Sequence, residues 1–343
     1  DPIELVAQLF SNPVFTGHIE MDPYRLSSAS QPNECIYSEY MSADVAWEYQ
    51  TQLPQGHTQA GIILASDKTP LPSGNTDMYP VLLSLANIEA GVRMKASSHA
   101  FPLLAYLPTV TFKNVTSKQQ SVLKACLFHF CMGLILKPLQ AAEQDGVPMS
   151  DSHGNVHIVH TPLVAYIADY PEQQLVACVA SSQSPITTAS FLDFGDGVHY
   201  PYRVRELTLA AIEEVANLPH AALGSNSDGR LDLFCNAYQE QGLNGVDEPF
   251  WKKWHGMDPS NFLVHDALHG SHLMVFDHFC KWLPNIMTAS ELDRRIQAVQ
   301  PRVGDRHWPN GISSLKRVNG RDCRELEKIL IAVINGAVSD GVM

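Results

Sequence analysis

Leu163-Val164-Ala165-Tyr166-Ile167-Ala168-Asp169 is a short apolar run that ends in a carboxylate. Its length and its bounding turn residues predict a buried strand that delivers Asp169 at its C-terminal tip. A run of the same design lies far upstream, Gly61-Ile62-Ile63-Leu64-Ala65-Ser66, and it ends in Asp67. Two more apolar runs, Tyr79 to Leu85 and Phe101 to Leu107, are separated from it and from each other by polar turns and read as further strands.

Between the two Asp-tipped runs the pattern changes period. Ser117 to Glu143 predicts one long helix, opened by Thr116 or Ser117 and stopped at Asp145-Gly146. Its most apolar part, Ala125 to Leu136, contains His129, is flanked by Lys124 and Lys137, and is shorter than the ~20 residues a membrane span needs. It therefore reads as a buried helix, and no membrane partner is expected. Asp151-Ser152-His153-Gly154-Asn155 is turn chemistry leading into Val156 to Val159, another strand. Residues 181 to 202 are rich in Ser, Thr and Gly and read as a loop. Arg203 to Leu218 reads as a helix, and Leu223 to Asn244 as a polar insertion with a short helical stretch. Helices are expected at Asn261 to Leu283, Ala289 to Val299 and Arg321 to Val333.

Three strands, a long helix, one or two strands, a polar insertion and then helices is the order of an RNase H-like fold. The expected class is thus α/β, an RNase H-like mixed sheet flanked by helices, with a polar and helical insertion before the last catalytic helix. The matching division is an N-terminal segment at 1–58 with a short helix near 42 to 50, a core at 59–180, an insertion at 181–260 and a C-terminal helical part at 261–343.

Bulk properties narrow the function. With 343 residues, 45% of them hydrophobic, the chain can bury a sizeable core, and a charged share of 17% excludes a disordered chain. The balance of 23 basic against 36 acidic residues, net -13, argues against strong autonomous binding to DNA. Seven cysteines without a Cys-x-x-Cys pair, and no secretory signal, point to a nuclear or cytoplasmic protein that is not secreted. The opening Asp1 followed by Ile3-Glu4-Leu5-Val6-Ala7 reads as the interior of a longer product.

Phosphodiester attack by water or a 3'-hydroxyl uses divalent cations held by shared carboxylates. Asp67 and Asp169, each at the tip of an apolar run, are the groups such a site requires from neighbouring strands, and their hard oxygens suit Mg2+ or Mn2+. Asp is also a common turn residue at strand ends, and the pattern alone leaves both readings open.

Five separated blocks, in order, resemble one family. They are Ala65-Ser66-Asp67-Lys68-Thr69-Pro70 with Tyr79-Pro80-Val81-Leu82, then Leu104-Ala105-Tyr106-Leu107-Pro108, then Ala165-Tyr166-Ile167-Ala168-Asp169-Tyr170-Pro171-Glu172-Gln173, then Asp266-Ala267-Leu268-His269 with Val275-Phe276-Asp277-His278, and finally Gly311-Ile312-Ser313 with Arg317-Val318-Asn319-Gly320-Arg321. Together they run from about residue 60 to 336 and resemble the catalytic core of fungal Plavaka-type DNA transposases, within the KDZ and CACTA-like group. The resemblance implies a DDE- or DDH-type transposase that cleaves and transfers DNA strands at transposon ends, in the nucleus, through a two-metal site, and allows an oligomer. It gives Asp67 and Asp169 as the first two members of the catalytic triad and His272 as the third. Asp266 and His269, on the same expected helical face, join Asp67 and Asp169 as metal-ligand candidates.

Two departures from the family pattern suggest a degraded copy. The family's Cys-Pro-x-Cys falls on Ser184-Pro185-Ile186-Thr187, so its two zinc thiolates are missing there, although Cys178 remains. One residue is also deleted before Asp277, which turns a helix by about 100° beyond that point. A catalytically dead interaction protein is therefore the alternative. A zinc-dependent hydrolase using His265, His269 and His272, with Asp266 or His278, ranks below it because no His-Glu-x-x-His is present. Lys252-Lys253 and Arg294-Arg295 are too few to define a DNA path, and Trp251 and Trp254 read either as base-stacking platforms or, more commonly, as core.

Overall fold

The structure, a computed structural model, describes residues 1–71, 77–217, 227–254, 257–264, 267, 271–315 and 318–337. It is a mixed α/β protein folded as two compact units, Asp1–Val264 and His265–Met343. In chain order the first unit contains α1 (Pro2–Phe10), β1 (Leu26–Ser28), β2 (Gln31–Ile36), α2 (Asp44–Gln52), β3 (His57–Gln59), β4 (Ile62–Ser66), β5 (Thr69–Pro70), β6 (Asp77–Met78), β7 (Pro80–Leu85) and α3 (Ala90–Arg93). It continues with β8 (Leu103–Tyr106), α4 (Ser117–Asp145), β9 (Val147–Ser150), β10 (Val156–His160), β11 (Leu163–Ile167), α5 (Tyr170–Val176), α6 (Arg205–Ala216), α7 (Ser227–Glu240) and α8 (Pro259–Phe262). The second unit holds a π-helical turn at Val275–Cys280 and then α9 (Lys281–Ile286), α10 (Ala289–Gln297) and α11 (Gly320–Ile334).

The sheet that positions the candidate site has the order β11-β4-β7-β8. β4, β7 and β8 form an antiparallel meander, while β11 returns alongside β4 in parallel. A second sheet, β3-β10-β9, prolongs the same pairing, because β10 is parallel to β3 just as β11 is to β4. Ala60 N–H still donates to His160 O (2.7 Å) and Ile62 N–H to Pro162 O (2.7 Å). Pro162 has no N–H to return, which separates one long parallel pairing into two ladders. Beyond β11, Leu263 forms a parallel bridge with Tyr166, so one more position is added to that edge.

That bridge departs from the helix expected over Asn261 to Leu283. α8 stops at Phe262 because Leu263 is engaged with β11, and the Val264 carbonyl accepts a hydrogen bond from Gln173 Nε2 (2.8 Å). A backbone committed to a sheet edge and to a side-chain amide cannot continue α-helical pairing.

The long helix starts as the sequence predicts: Thr116 caps Gln119 N–H, and the Gln119 side chain reaches back to Thr116 N–H (3.0 Å). By length and composition α4 could cross a membrane, but one face of it is in the core: Ala125, Phe128, Met132, Leu136 and Leu139 pack with Val6, Leu9 and Phe10 of α1, the inner residues of β4 and β7, and Trp251 and Trp254. Both tryptophans are fully buried and donate indole N–H to backbone, Trp251 to Val176 O (2.7 Å) and Trp254 to Thr161 O (3.2 Å). They are core, not base-stacking platforms. The second unit has its own core, in which Phe276, Leu283, Leu292, Ile296, Trp308 and Leu326 take part.

Where α4 turns into β9, Gly146 has φ +70°, and a Cβ there would lie 2.6 Å from Ile158 Cγ2. Gly146→Ala is expected to lower stability by about 1–3 kcal/mol, since both the backbone angle and the β10 neighbour oppose a side chain. A urea midpoint equal to that of the parent protein would contradict this.

Candidate active site

The parallel register decides which side chains meet. Leu64 lies opposite Tyr166 and Ala65 opposite Ile167, so two residues further along each strand bring Asp67 beside Asp169 at the C-terminal edge of the sheet. This edge of an open α/β sheet is where ligands usually bind. Asp67 is exposed, and its Oδ2 accepts a hydrogen bond from Thr69 Oγ1 (3.2 Å). Asp169 is half-buried as the N-cap of α5. Its Oδ1 accepts the Glu172 N–H (2.9 Å), and Pro171 follows in the first turn.

A third carboxylate, Glu172, sits beneath this pair. Its side chain is 9% exposed and accepts a hydrogen bond from Ser66 Oγ, the residue before Asp67. Ser66 Oγ is also 2.6 Å from the Tyr166 hydroxyl, and the Tyr79 hydroxyl bonds to Glu172 as well. Burial pushes the Glu172 carboxyl up to about 7; the Ser66 and Tyr79 hydrogen bonds pull it back in part, and the charges of Asp169 and Asp67 add to the rise. Glu172 therefore senses both aspartates, and burial holds the Tyr79 and Tyr166 hydroxyls well above the usual phenol range. Sequence reading passed over Glu172 because an acidic residue three positions after an N-cap is ordinary helix-start chemistry. Ser66, Tyr79 and Tyr166 escaped for a similar reason, since each sits within an apolar strand run.

Of the candidates expected on the late helix, His272 and His278 are among the described residues. His272 is in the second unit, where its Nδ1 is 2.6 Å from Glu327 Oε2. Asp266, His269 and His265 lie outside the described residues, and His278 packs against the Trp282 ring (5.2 Å). Among the described residues no group of three His, Cys, Asp or Glu side chains is arranged to hold a metal ion. Cys178 is a buried free thiol near His129 Nε2 (3.5 Å). Three of the four residues of the basic pairs are engaged: Lys252 with Glu248 (3.0 Å), and Arg294 and Arg295 with Glu291 (2.8 and 2.7 Å).

A family model described as Plavaka transposase matches residues 1–283. The chain belongs to the Plavaka transposase family. The match begins well before the resemblance found in the sequence, so α1 to β3 are part of the Plavaka unit, and it ends before the Gly311 to Arg321 block. A search of curated proteins finds no match. Within the matched span, Asp67, Asp169 and Glu172 are the acidic side chains that this Plavaka sheet gathers at the β4–β11 edge.

The position of Glu172 has a measurable consequence. Between its ordinary value of 4.5 and about 7 the folded protein retains a proton that the unfolded chain has lost, so rising pH through that window removes stability. In chelator-treated protein, Glu172→Gln is expected to flatten this decline and to raise the urea midpoint at pH 8 relative to the parent. Parallel pH profiles for the two proteins would show that Glu172 ionises normally.

Proposed function

We propose that this chain is the catalytic core of a DNA strand-cleaving and strand-transferring enzyme acting at transposon ends, with Asp67 and Asp169 as its metal-holding carboxylates. The observation that carries the reading is the parallel β4–β11 register, which sets two aspartates side by side at the ligand-binding edge of the sheet. The strand order β8-β7-β4-β11, with the Leu263 bridge beyond, supports an RNase H-like core, in which carboxylates from the first and fourth strands converge.

The donor set suits Mg2+ or Mn2+. Asp67 is exposed and Asp169 commits only Oδ1 to its helix cap, so hard oxygens remain on both, and Mg2+ is commonly bound through one or two carboxylates with the rest of its shell from water and substrate phosphate. Bound there, the cation would activate the attacking oxygen and stabilise the leaving one. Asp67 and Asp169 would orient it, and Glu172, through Ser66 on one side and the Asp169 cap on the other, would hold both carboxylates in place. We assign the third catalytic role to His272, as the family pattern does. Its Nδ1 faces Glu327 (2.6 Å), which in that role would orient the ring. Asp266 and His269 remain secondary ligand candidates. Partnership with transposon-end DNA, in the nucleus or the cytoplasm, follows from the same reading, and an oligomer is compatible with it.

A second reading, a transposase-derived interaction protein without catalysis, is favoured by the net charge of -13 and by Ser184 and Thr187 in place of the family's paired thiolates. Nicking of a supercoiled plasmid carrying transposon ends, in Mn2+, separates the two. The parent protein is expected to nick, and Asp67→Asn or Asp169→Asn to lower the rate by at least about a thousandfold, ~4 kcal/mol in barrier. Equal rates in parent and variants, or none in the parent, would remove the enzymatic reading.

A further inference from the structure

Beside Asp67 lies a cavity of about 270 Å3 with Lys68 and Lys124 at its rim and Tyr79, Leu127 and Phe128 on its wall. Four observations bear on what it takes. Lys68 follows Asp67 directly in the chain and is tied to Asp77 (2.7 Å) across the β5–β6 ribbon, so its ammonium is held at the cavity mouth. Lys124, exposed on α4 one turn before Phe128, has no ion pair among the described residues. Two lysines against one aspartate leave this small surface cationic, in a chain whose net charge is -13. The Tyr79 and Phe128 rings stack on one another (5.8 Å, 25°), and Tyr79 also reaches Glu172, so the cavity wall is continuous with the carboxylate network.

We propose that this cavity receives one unpaired nucleotide of a DNA strand, its phosphate held by Lys124 and Lys68 and its base set against Tyr79 and Leu127. An ammonium rim with an aromatic wall is the chemistry by which proteins hold single strands. The volume accommodates a single nucleotide and excludes a base pair, so the strand must be opened next to the position that Asp67 and Asp169 serve. The inference rests on the DNA-processing reading for the nature of its ligand, and it adds Lys124 as a substrate-binding residue that neither motif nor family pattern marks.

The test is fluorescence anisotropy of a labelled oligothymidine strand, and of the duplex it forms with oligoadenosine, with the full chain in EDTA. The single strand is expected to bind more tightly than the duplex. Lys124→Glu is expected to weaken single-strand binding by about tenfold or more and to reduce the salt slope by about 0.7, while Lys124→Arg retains both. Lys124 is exposed on α4, and an unchanged urea midpoint verifies that the variants are folded. Preference for duplex, absence of single-strand binding, or a Lys124→Glu protein that binds like the parent overturns the proposal. Plasmid nicking is scored separately: Lys124-dependent strand binding without nicking removes the cleavage reading and keeps this one, and nicking indifferent to Lys124 does the reverse.

Discussion

Parallel pairing of Leu163–Ile167 with Ile62–Ser66 brings together two segments with the whole meander and the long helix between them. An antiparallel return could be made by a short turn, but it would place the two strand ends at opposite edges; a parallel return needs a long crossover and delivers both at one edge. α4 is the main element of that crossover. Its core-facing residues Phe128, Met132 and Leu136 share one cluster with Ile62, Leu64, Leu163 and Tyr166, so the packing that stabilises the crossover also fixes the strand register. A slip by one residue would move the tips of β4 and β11 out of alignment and turn their side chains to the wrong face.

The Glu172 network gives that register a polar lock. Its members come from β4 (Ser66), β11 (Tyr166), α5 (Glu172) and the residue preceding β7 (Tyr79), so the bond set ties two strands and the entry to a third to the first turn of α5. Buried polar groups are tolerated when each finds a partner, and they then specify one arrangement more sharply than apolar packing does. Here the specified arrangement is the one that leaves Asp67 and Asp169 open at the surface while the acid beneath them is satisfied internally.

Much of this was legible in the sequence, for local reasons. β4, β7, β8, β10, β11 and α4 each carry their own apolar period and stop signals, and Thr116 and Gly146 mark the ends of α4 through capping and a positive φ. The strand-tip placement of Asp67 and Asp169 follows from the same runs. What escaped depends on distant partners. Residues 1–58 read as a segment with one short helix near 42 to 50, and α1 emerges only from contact with α4 and β7, which makes Val6 and Phe10 core. Leu263 has a helical neighbourhood in sequence and leaves it for Tyr166, a residue almost a hundred positions away. Glu172 resembles any first-turn acid until Ser66 and Tyr79 close over it.

Charge distribution resolves the tension between a net charge of -13 and the proposed DNA substrate. At physiological salt a charge is felt over about 8 Å, so a phosphate at the β4–β11 edge responds to its immediate neighbours and little to the rest of the surface. Those neighbours are Asp67 and Asp169, which repel it, and Lys68 with Lys124 to one side, which attract it. With Glu172 protonated, the edge carries two negative charges instead of three, and a single divalent cation there would cancel them. Placing the cationic groups beside the aspartates, and not among them, would on the proposed reading let a strand be anchored at one nucleotide while the adjacent phosphate meets a neutralised pair of carboxylates. On the proposed reading, an acidic chain needs only this local arrangement for chemistry at the bond, whereas affinity for long DNA would have to come from surfaces other than this edge.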